Sequence, residues 1–328
     1  MAWRLKLVPE KTNWDFFKYA RITFGASVLA ILLSLGSIAV LGFNFGIDFL
    51  GGTTIRTEST QDLDLAAYRE AVDGLGFGDA TLTEVFDPSF GAGRHVAQIR
   101  IQAQDDGVLS AEDIARVETA LKAVDPSVTF QAVETVGPKV SGELIRTAVL
   151  SLVLALAGVM VYVWLRFEWQ FGVASVAALA HDAILTIGIF SLLQLRFDLT
   201  VVAAVLTIVG YSINDTVVIF DRVRENLIKY KKKSVKEVVN LSLNETLSRT
   251  VMTSSVTMLA LIALYVFGGD VIRGFSFAMI FGVLVGCYST VFVASVVLIW
   301  LGVNRDKAEK AAEPGEPRPD TAGTPFQS

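Results

Sequence analysis

The stretch GYSINDTVVIFDRVR, residues 210–224, closes an apolar run that begins at Leu199. It sets Asn214, Asp215, Asp221 and Arg222 at or near one end of a segment otherwise suited to lipid. A carboxylate in hydrocarbon costs about 2.5–3.5 kcal/mol even on lenient insertion scales, so its presence there asks for a function. With 199–220 as the span, Asp215 lies about 9 Å inside Asp221 at a helical rise of about 1.5 Å per residue, within the inner half of the membrane.

The rest of the composition agrees. Of 328 residues, 52% are hydrophobic and 19% charged, and the mean hydropathy is +0.53. The apolar residues gather in six blocks that predict spans at 22–42, 146–166, 171–193, 199–220, 250–268 and 274–302. About 20 apolar residues cross a bilayer, so the longer sixth block must tilt, kink or protrude. The fold class is a polytopic α-helical membrane protein with six transmembrane helices. The first block exceeds a signal-peptide core and lacks an A-x-A cleavage pattern, so it reads as a retained anchor. Cys287, the single cysteine, lies in the sixth block, which excludes an intrachain disulfide and a cysteine-based metal centre. No cofactor or metal is expected, and no nucleic-acid partner.

Lys and Arg in short flanking segments set orientation. Residues 1–21 carry Arg4, Lys6, Lys11, Lys18 and Arg21, and the connection 221–249 carries eight bases and three acids between Arg222 and Arg249. Positions 48–139 instead hold sixteen acids and seven bases. Six spans put both basic segments and the C-terminus on one side, read as cytoplasmic, with the acidic region periplasmic. The tail 303–328, rich in Pro, Ala, Gly and charge, has too little apolar content to pack and is expected to be disordered.

Residues 43–145 alternate as soluble protein does. Thr53–Glu58 reads as a strand and Leu63–Leu75 as a helix with Leu65, Tyr68 and Val72 on one face. Thr81–Phe86 and His95–Gln102 are strands about a turn at Asp87–Gly93. Ser110 and Asp113 form a near capping box before Ile114, Val117 and Leu121, and Ser127–Val133 is a fourth strand. This β-α-β-β-α-β order is that of an α+β, ferredoxin-like unit. His95 has no His or Cys nearby to share a metal and reads as structural or surface.

Polar residues at the membrane come in three groups. After the first span, Asp48 lies among Gly42, Gly46, Gly51 and Gly52. With no helix N-terminus and no Lys-Ser/Thr pair following, this is not a phosphate loop. Asp48, Gly51 and Gly52 are expected to form a hinge or a close-packed joint. In the third span, His181 and Asp182 are neighbours whose directions diverge by about 100°. They are therefore not expected to face each other, and each serves either a proton path or packing.

In the fourth span, Ser212 shares the face of Asp215, whose expected counter-charge is Arg249, entering the fifth span from the same side. A permanent ion pair is one reading, of small worth because desolvation offsets the Coulomb gain. A carboxylate that exchanges a proton while Arg249 changes partners is the other. Asn214 and Asp221 belong to that path or to the structure around it. Ser212 lacks a G-x-S-x-G context and an adjoining base, so no enzyme activity is expected.

Thr253, Ser254, Ser255 and Thr257 make the fifth span rich in hydroxyls. The capping box Ser234-x-x-Glu237 opens a helix with Val235, Val238, Val239 and Leu243, expected to lie as an amphipathic helix on the cytoplasmic face near anionic lipid or a partner. Gly282-x-x-x-Gly286 predicts close helix packing.

Taken in order, several of these motifs resemble the SecD/SecF family of protein-export membrane subunits, on its SecF side. The residues are GIDFLGGT (46–53), VGPKVSG (136–142), Ala180-His181-Asp182, GYSINDT (210–216), Phe220-Asp221-Arg222 and TLSRT (246–250). Leu50 departs from a small polar residue common there, and no SecD half is fused. The resemblance implies a half-transporter of the resistance-nodulation-division architecture in the bacterial inner membrane. This chain and SecD would form a twelve-span bundle working with SecYEG, SecA and YajC/YidC on unfolded preprotein, driven by the proton-motive force. It also implies that Asp215 and Arg249 couple to protons. A small-molecule exporter of the same architecture and a passive assembly scaffold remain the alternatives, the single small head arguing against the exporter.

Overall fold

The computed structural model describes residues 9, 12–78, 80–85, 94–103 and 107–303. The turn read at Asp87–Gly93, the charges Arg4, Lys6 and Lys11, and the tail beyond Val303 lie outside these residues. The first span, α1 (Ala20–Leu41), leads through β1 (Asn44–Phe45) and the single-turn α2 (Ile47–Leu50) into the head. The head comprises β2 (Gly52–Ser59), α3 (Leu65–Asp73), β3 (Ala80–Val85), β4 (His95–Gln102), α4 (Ala111–Val124) and β5 (Thr129–Val136). There follow α5 (Pro138–Arg166), α6 (Trp169–Leu192), β6 (Arg196–Phe197), α7 (Leu199–Lys229), α8 (Val235–Phe267), α9 (Asp270–Ser289), a π-helical stretch Thr290–Ala294, and α10 (Ser295–Leu301). Among the described residues, six helical segments have the length and apolar character to cross a membrane, the sixth running from α9 into α10. The π-helical stretch interrupts the regular α-helix of this long block.

The head sheet has the order β3-β4-β2-β5, every pair antiparallel. With the chain order β-α-β-β-α-β this is the split arrangement expected from the sequence. Both helices start on side-chain caps. Asp64 accepts from the amides of Ala66 and Ala67, and Ser110 and Asp113 complete a reciprocal capping box. Their apolar faces bury Tyr68, Val72, Val117 and Leu121 against Ile55, Ile99 and Ile101 of the sheet. His95 sits at the surface, its ring nitrogens 3.2 Å from Asp62 and 3.5 Å from Glu84.

One polar knot closes the head core. Asp125 accepts from Ser59 Oγ, from Tyr68 Oη at 3.1 Å, and from the amide and hydroxyl of Ser127 at 2.8 and 2.7 Å. Burial alone would push its carboxyl up, but these donors outweigh it and hold it below the ordinary carboxylate value. Burial, and then the neighbouring Asp125, push the Tyr68 phenol up.

Between head and spans lies a joint rather than a free hinge. β1 pairs in parallel with β6, and the Gly46 amide donates to Phe197 O at 2.8 Å. Asp48 Oδ2 accepts from the Leu199 amide at 3.1 Å, so a residue of the first connection helps cap α7. Asp198 Oδ1 takes the next two amides, Thr200 and Val201. Phe43, Phe45, Phe49 and Phe197 pack ring against ring around this cap. A short helix thus does follow Gly46, where the sequence reading expected no helix N-terminus. Gly51 and Gly52 have φ of 74° and 140°, and a Cβ at Gly52 would collide with the carbonyl oxygen of Ile101. Only glycine fits this approach of β2 to β4.

The end of the bundle away from the head, here termed the inner end, differs from expectation. α7 continues past Phe220 to Lys229, and α8 runs unbroken from Val235 through the fifth span. The predicted surface helix is therefore the first part of α8. Its apolar face does not lie on lipid: Val238, Val239 and Leu243 are buried with Phe220, Val223 and Leu227 of α7 and with Phe17. The capping box at Ser234 and Glu237 is present. Extending α7 gives that face a protein partner, which removes the need for a membrane surface.

Two outcomes test these assignments. Asp125→Ala should destabilise the head by about 1–3 kcal/mol near neutral pH, since it strands several buried donors. Because the folded carboxyl sits below the unfolded value near 3.9, its contribution is complete above about pH 4 and is lost as pH falls further, so the wild-type–variant gap should shrink in acid. Hydrogen exchange of the head strands in the detergent-solubilised chain measures both. Gly52→Ala should cost about 1–3 kcal/mol in backbone strain alone, seen as faster proteolysis at the head–span joint.

Candidate functional site

Three helices meet at Asp182, which is 1% exposed in the middle of α6. Its Oδ2 accepts from Ser212 Oγ of α7 at 2.8 Å and from Ser289 Oγ of α9 at 2.9 Å. Its Oδ1 lies 3.0 Å from His181 Nδ1. The expectation that His181 and Asp182 cannot face each other is overturned. An offset of about 100° separates their Cα–Cβ directions, but side-chain rotation brings the ring back to the carboxylate. The pair is still no catalytic dyad, because Ser212 donates to Asp182 and makes no bond to the imidazole. Ser212 also serves Asp182 rather than Asp215, whose face it shares. His181 Nε2 is buried without a hydrogen-bond partner, and the ring stacks on Tyr288 at 6.2 Å. Tyr288 Oη in turn donates to Thr23 O at 2.6 Å.

Close packing makes this network possible. A Cβ on Gly282 would run into the Ile208 side chain of α7, and one on Gly286 would stand 3.2 Å from Ser212 Oγ and 3.5 Å from Asp182 Oδ2. The GxxxG pair therefore brings α9 near enough to α7 and α6 for hydroxyls to reach a carboxylate. Next along, Thr216 Oγ1 and Thr290 Oγ1 are 3.2 Å apart, joining α7 to the π-helical stretch. On the fifth span, Ser254 accepts from Cys287 Sγ at 3.0 Å and Thr257 from Tyr211 Oη at 3.2 Å.

Asp215 lies nearer the inner end of α7 and is 7% exposed. Among the described residues its carboxylate enters no hydrogen bond and no ion pair. Arg249 lines a cavity of about 430 Å³ at the inner end, with Arg166, Asp221, Arg222, Glu225 and Glu245. The ion pairs there are Arg166–Asp221 at 3.3 Å, Arg222–Glu225 at 2.8 Å and Arg222–Glu245 at 2.6 Å. The expected meeting of Asp215 with Arg249 is not realised in this arrangement, where the guanidinium acts on the carboxylate only through space. Ser242, Thr246 and Thr250 form the buried stripe of α8, and Arg249, one residue off that stripe, falls on the cavity rim. Asn214 is exposed on the outer face of α7. Ser289 and Thr290 were missed in the sequence, although two adjacent polar residues in the sixth apolar block were a signal for them.

Comparison with known proteins agrees with this architecture. Residues 116–304 match the family described as protein export membrane protein SecD/SecF, C-terminal, and residues 36–62, which contain Gly51 and Gly52, match the SecD/SecF GG motif. The chain is 60% identical over 316 residues to the protein translocase subunit SecF of Cereibacter sphaeroides, covering 96% of this chain and 98% of that one. It is 56% identical over 317 residues to SecF of Rhodobacter capsulatus, covering 94% and 95%. Among solved structures, SecDF of Thermus thermophilus, a translocon-associated membrane protein, superposes with a TM-score of 0.80 at 37% identity, covering 90% of this chain and 39% of that one. SecDF in a super-membrane-facing form gives 0.66 at 39% identity, covering 94% and 41%. By its matched length, its motifs and its six spans, the chain belongs to the SecD/SecF family of protein-export membrane proteins, among its SecF translocase subunits.

Proposed function

We propose that this chain pairs with a SecD subunit in the bacterial inner membrane and uses the proton-motive force to promote outward movement of unfolded preproteins. SecYEG and SecA, with YajC/YidC, are the machinery it serves. The observation that carries this reading is Asp215, buried in the inner half of α7 with neither ion pair nor hydrogen bond among the described residues, near the exposed Arg249. An unpaired carboxylate in hydrocarbon costs about 2.5–3.5 kcal/mol, and that cost is relieved either by a proton or by Arg249. Two relieved states with different charge positions are what a proton-driven cycle needs. One charge moved through 100 mV gains about 2.3 kcal/mol, which biases a two-state equilibrium nearly fiftyfold if the coupling is lossless.

Partnership is supported by what this chain leaves uncovered. In the most apolar windows of α5 and α8 only 6% and 17% of residues are buried, against 61% for α6 and for the sixth span. Asn214 and Arg249 lie on open surface, where lipid offers no hydrogen bonds. A second helical bundle would cover them. The positive-inside count then places both termini in the cytoplasm and the head in the periplasm. Two TM-scores, 0.80 and 0.66, at similar coverage of the SecDF chains support more than one arrangement of the same parts. In this reading the joint at Asp48, Gly51 and Gly52 passes span movement to the head, and the chain makes and breaks no covalent bonds.

In vesicles carrying the assembled complex, Asp215→Asn should abolish the response of export to the proton gradient while leaving ATP-driven export in place. An undiminished response would favour the passive scaffold. Asp182→Asn should leave the gradient response intact but reduce the yield of assembled complex, because an amide cannot accept from all three of its neighbours.

A further inference from the structure

Residues 12–15 run without helical structure beside the first part of α8, held by two asparagines one helical turn apart. The Trp14 amide donates to Asn244 Oδ1 at 2.7 Å, and the Phe16 amide to Asn240 Oδ1 at 3.0 Å. Trp14 O accepts from both side-chain amides, from Asn240 Nδ2 at 2.9 Å and Asn244 Nδ2 at 2.8 Å. Thr12 Oγ1 adds a bond to Asn244 O at 3.2 Å. Backbone groups at alternate residues are thus satisfied as a neighbouring strand would satisfy them, but by helix side chains. Asparagine suits the task because its amide both donates and accepts. Beyond the clip, Phe17 is buried among the Val238, Val239 and Leu243 cluster, and the Phe16 ring meets Phe292 of the π-helical stretch at 6.3 Å.

The place of this clip gives it a consequence. Asn244 precedes Arg249 by about 7.5 Å of helix, and its neighbours Glu245 and Thr246 line the same inner cavity as Arg249. We propose that residues 12–17 form a clip read through its backbone, in which Asn240 and Asn244 are positioning residues that fix the inner end of α8 and so set where Arg249 stands relative to Asp215. The inference rests on the proton-coupling role proposed above for those two residues. The clip touches neither of them and acts through the helix it holds.

The test uses vesicles with the full chain assembled with its SecD partner, and compares export with and without a proton gradient. In the assembled wild-type complex, Asn240→Ala with Asn244→Ala should lower the gradient-dependent part of export by about five- to thirtyfold, the change expected for one or two net hydrogen bonds. ATP-driven export without a gradient, read in the same vesicles, should be unchanged by the pair. An equal fall in gradient-dependent and ATP-driven export, or no fall in the first, overturns the clip. A purely structural role would give the equal fall, since it weakens the assembly whatever drives export. If Asp215→Asn itself leaves the gradient response whole, the coupling reading has failed instead, and the two failures are thereby distinguished. Should the double variant not assemble, Trp14→Pro removes one clip donor and leaves α8 unaltered. It is expected to lower gradient-dependent export while leaving ATP-driven export unchanged, and an equal fall in both, or no fall, again overturns the clip.

Discussion

Hydrocarbon cannot solvate a carboxylate, and the polar interior of this bundle is arranged around that constraint. Its two buried acids answer it in opposite ways. Asp182 is satisfied completely, with hydroxyl donors from α7 and α9 and the imidazole beside it on α6. Such an acid ties three helices together. Asp215, on α7, has none of these partners. A fully bonded group fixes structure, whereas an unsatisfied one leaves a choice of states open. The bundle spends its donors at one acid and withholds them from the other, and the proposed coupling rests where they are withheld.

The same contrast holds along the membrane normal. At the outer end, α7 is capped twice, by its own Asp198 and by Asp48 from the far side of the head connection. A two-residue parallel sheet and a cluster of phenylalanines surround those caps. Helix starts are satisfied by side chains throughout proteins, but here the cap comes from another element. Separating head from spans would leave the Leu199 amide without its partner. Stiffness at this joint suits transmission: a head mounted on a loose hinge would not follow its spans.

Much of this was legible in the sequence because lipid enforces simple patterns. Six apolar blocks gave six spans, and the period-two and helical alternations of 43–145 gave the head with its topology, element ends moving by one to three residues. Ser234 with Glu237, Ser110 with Asp113, and the glycines 282 and 286 did what their spacing predicts. Pair contacts were not legible. Helical offset argued His181 away from Asp182, yet rotation about the side-chain bonds brings them together. Spacing drew Ser212 to Asp215, yet a hydroxyl goes to the acid it can reach, on another helix. The buried face of Val238, Val239 and Leu243 read as a surface helix because apolar periodicity cannot tell lipid from α7. Asn240 and Asn244 gave no sign at all, since what they hold is a backbone some 225 residues earlier and a backbone has no sequence.

In the proposed cycle, which of Asp215 and Arg249 approaches the other follows from how their helices are held. α7 is fixed at its outer end by two caps, at mid-depth by the packing of Ile208 on Gly282 and the bond from Ser212 to Asp182, and just below by the Thr216–Thr290 contact. Asp215 sits between the last two of these, and its carboxylate is on a short side chain. It has little freedom to travel. Arg249 is on an exposed position of a helix that α7 and α9 cover on one side only, and its guanidinium rides on a long flexible stem. Closing the distance therefore falls to the cation. That would place control of the pair at the inner end of α8, where Glu245 binds Arg222 and Asn226 and Asn244 binds Thr12 and Trp14, rather than at the acid itself.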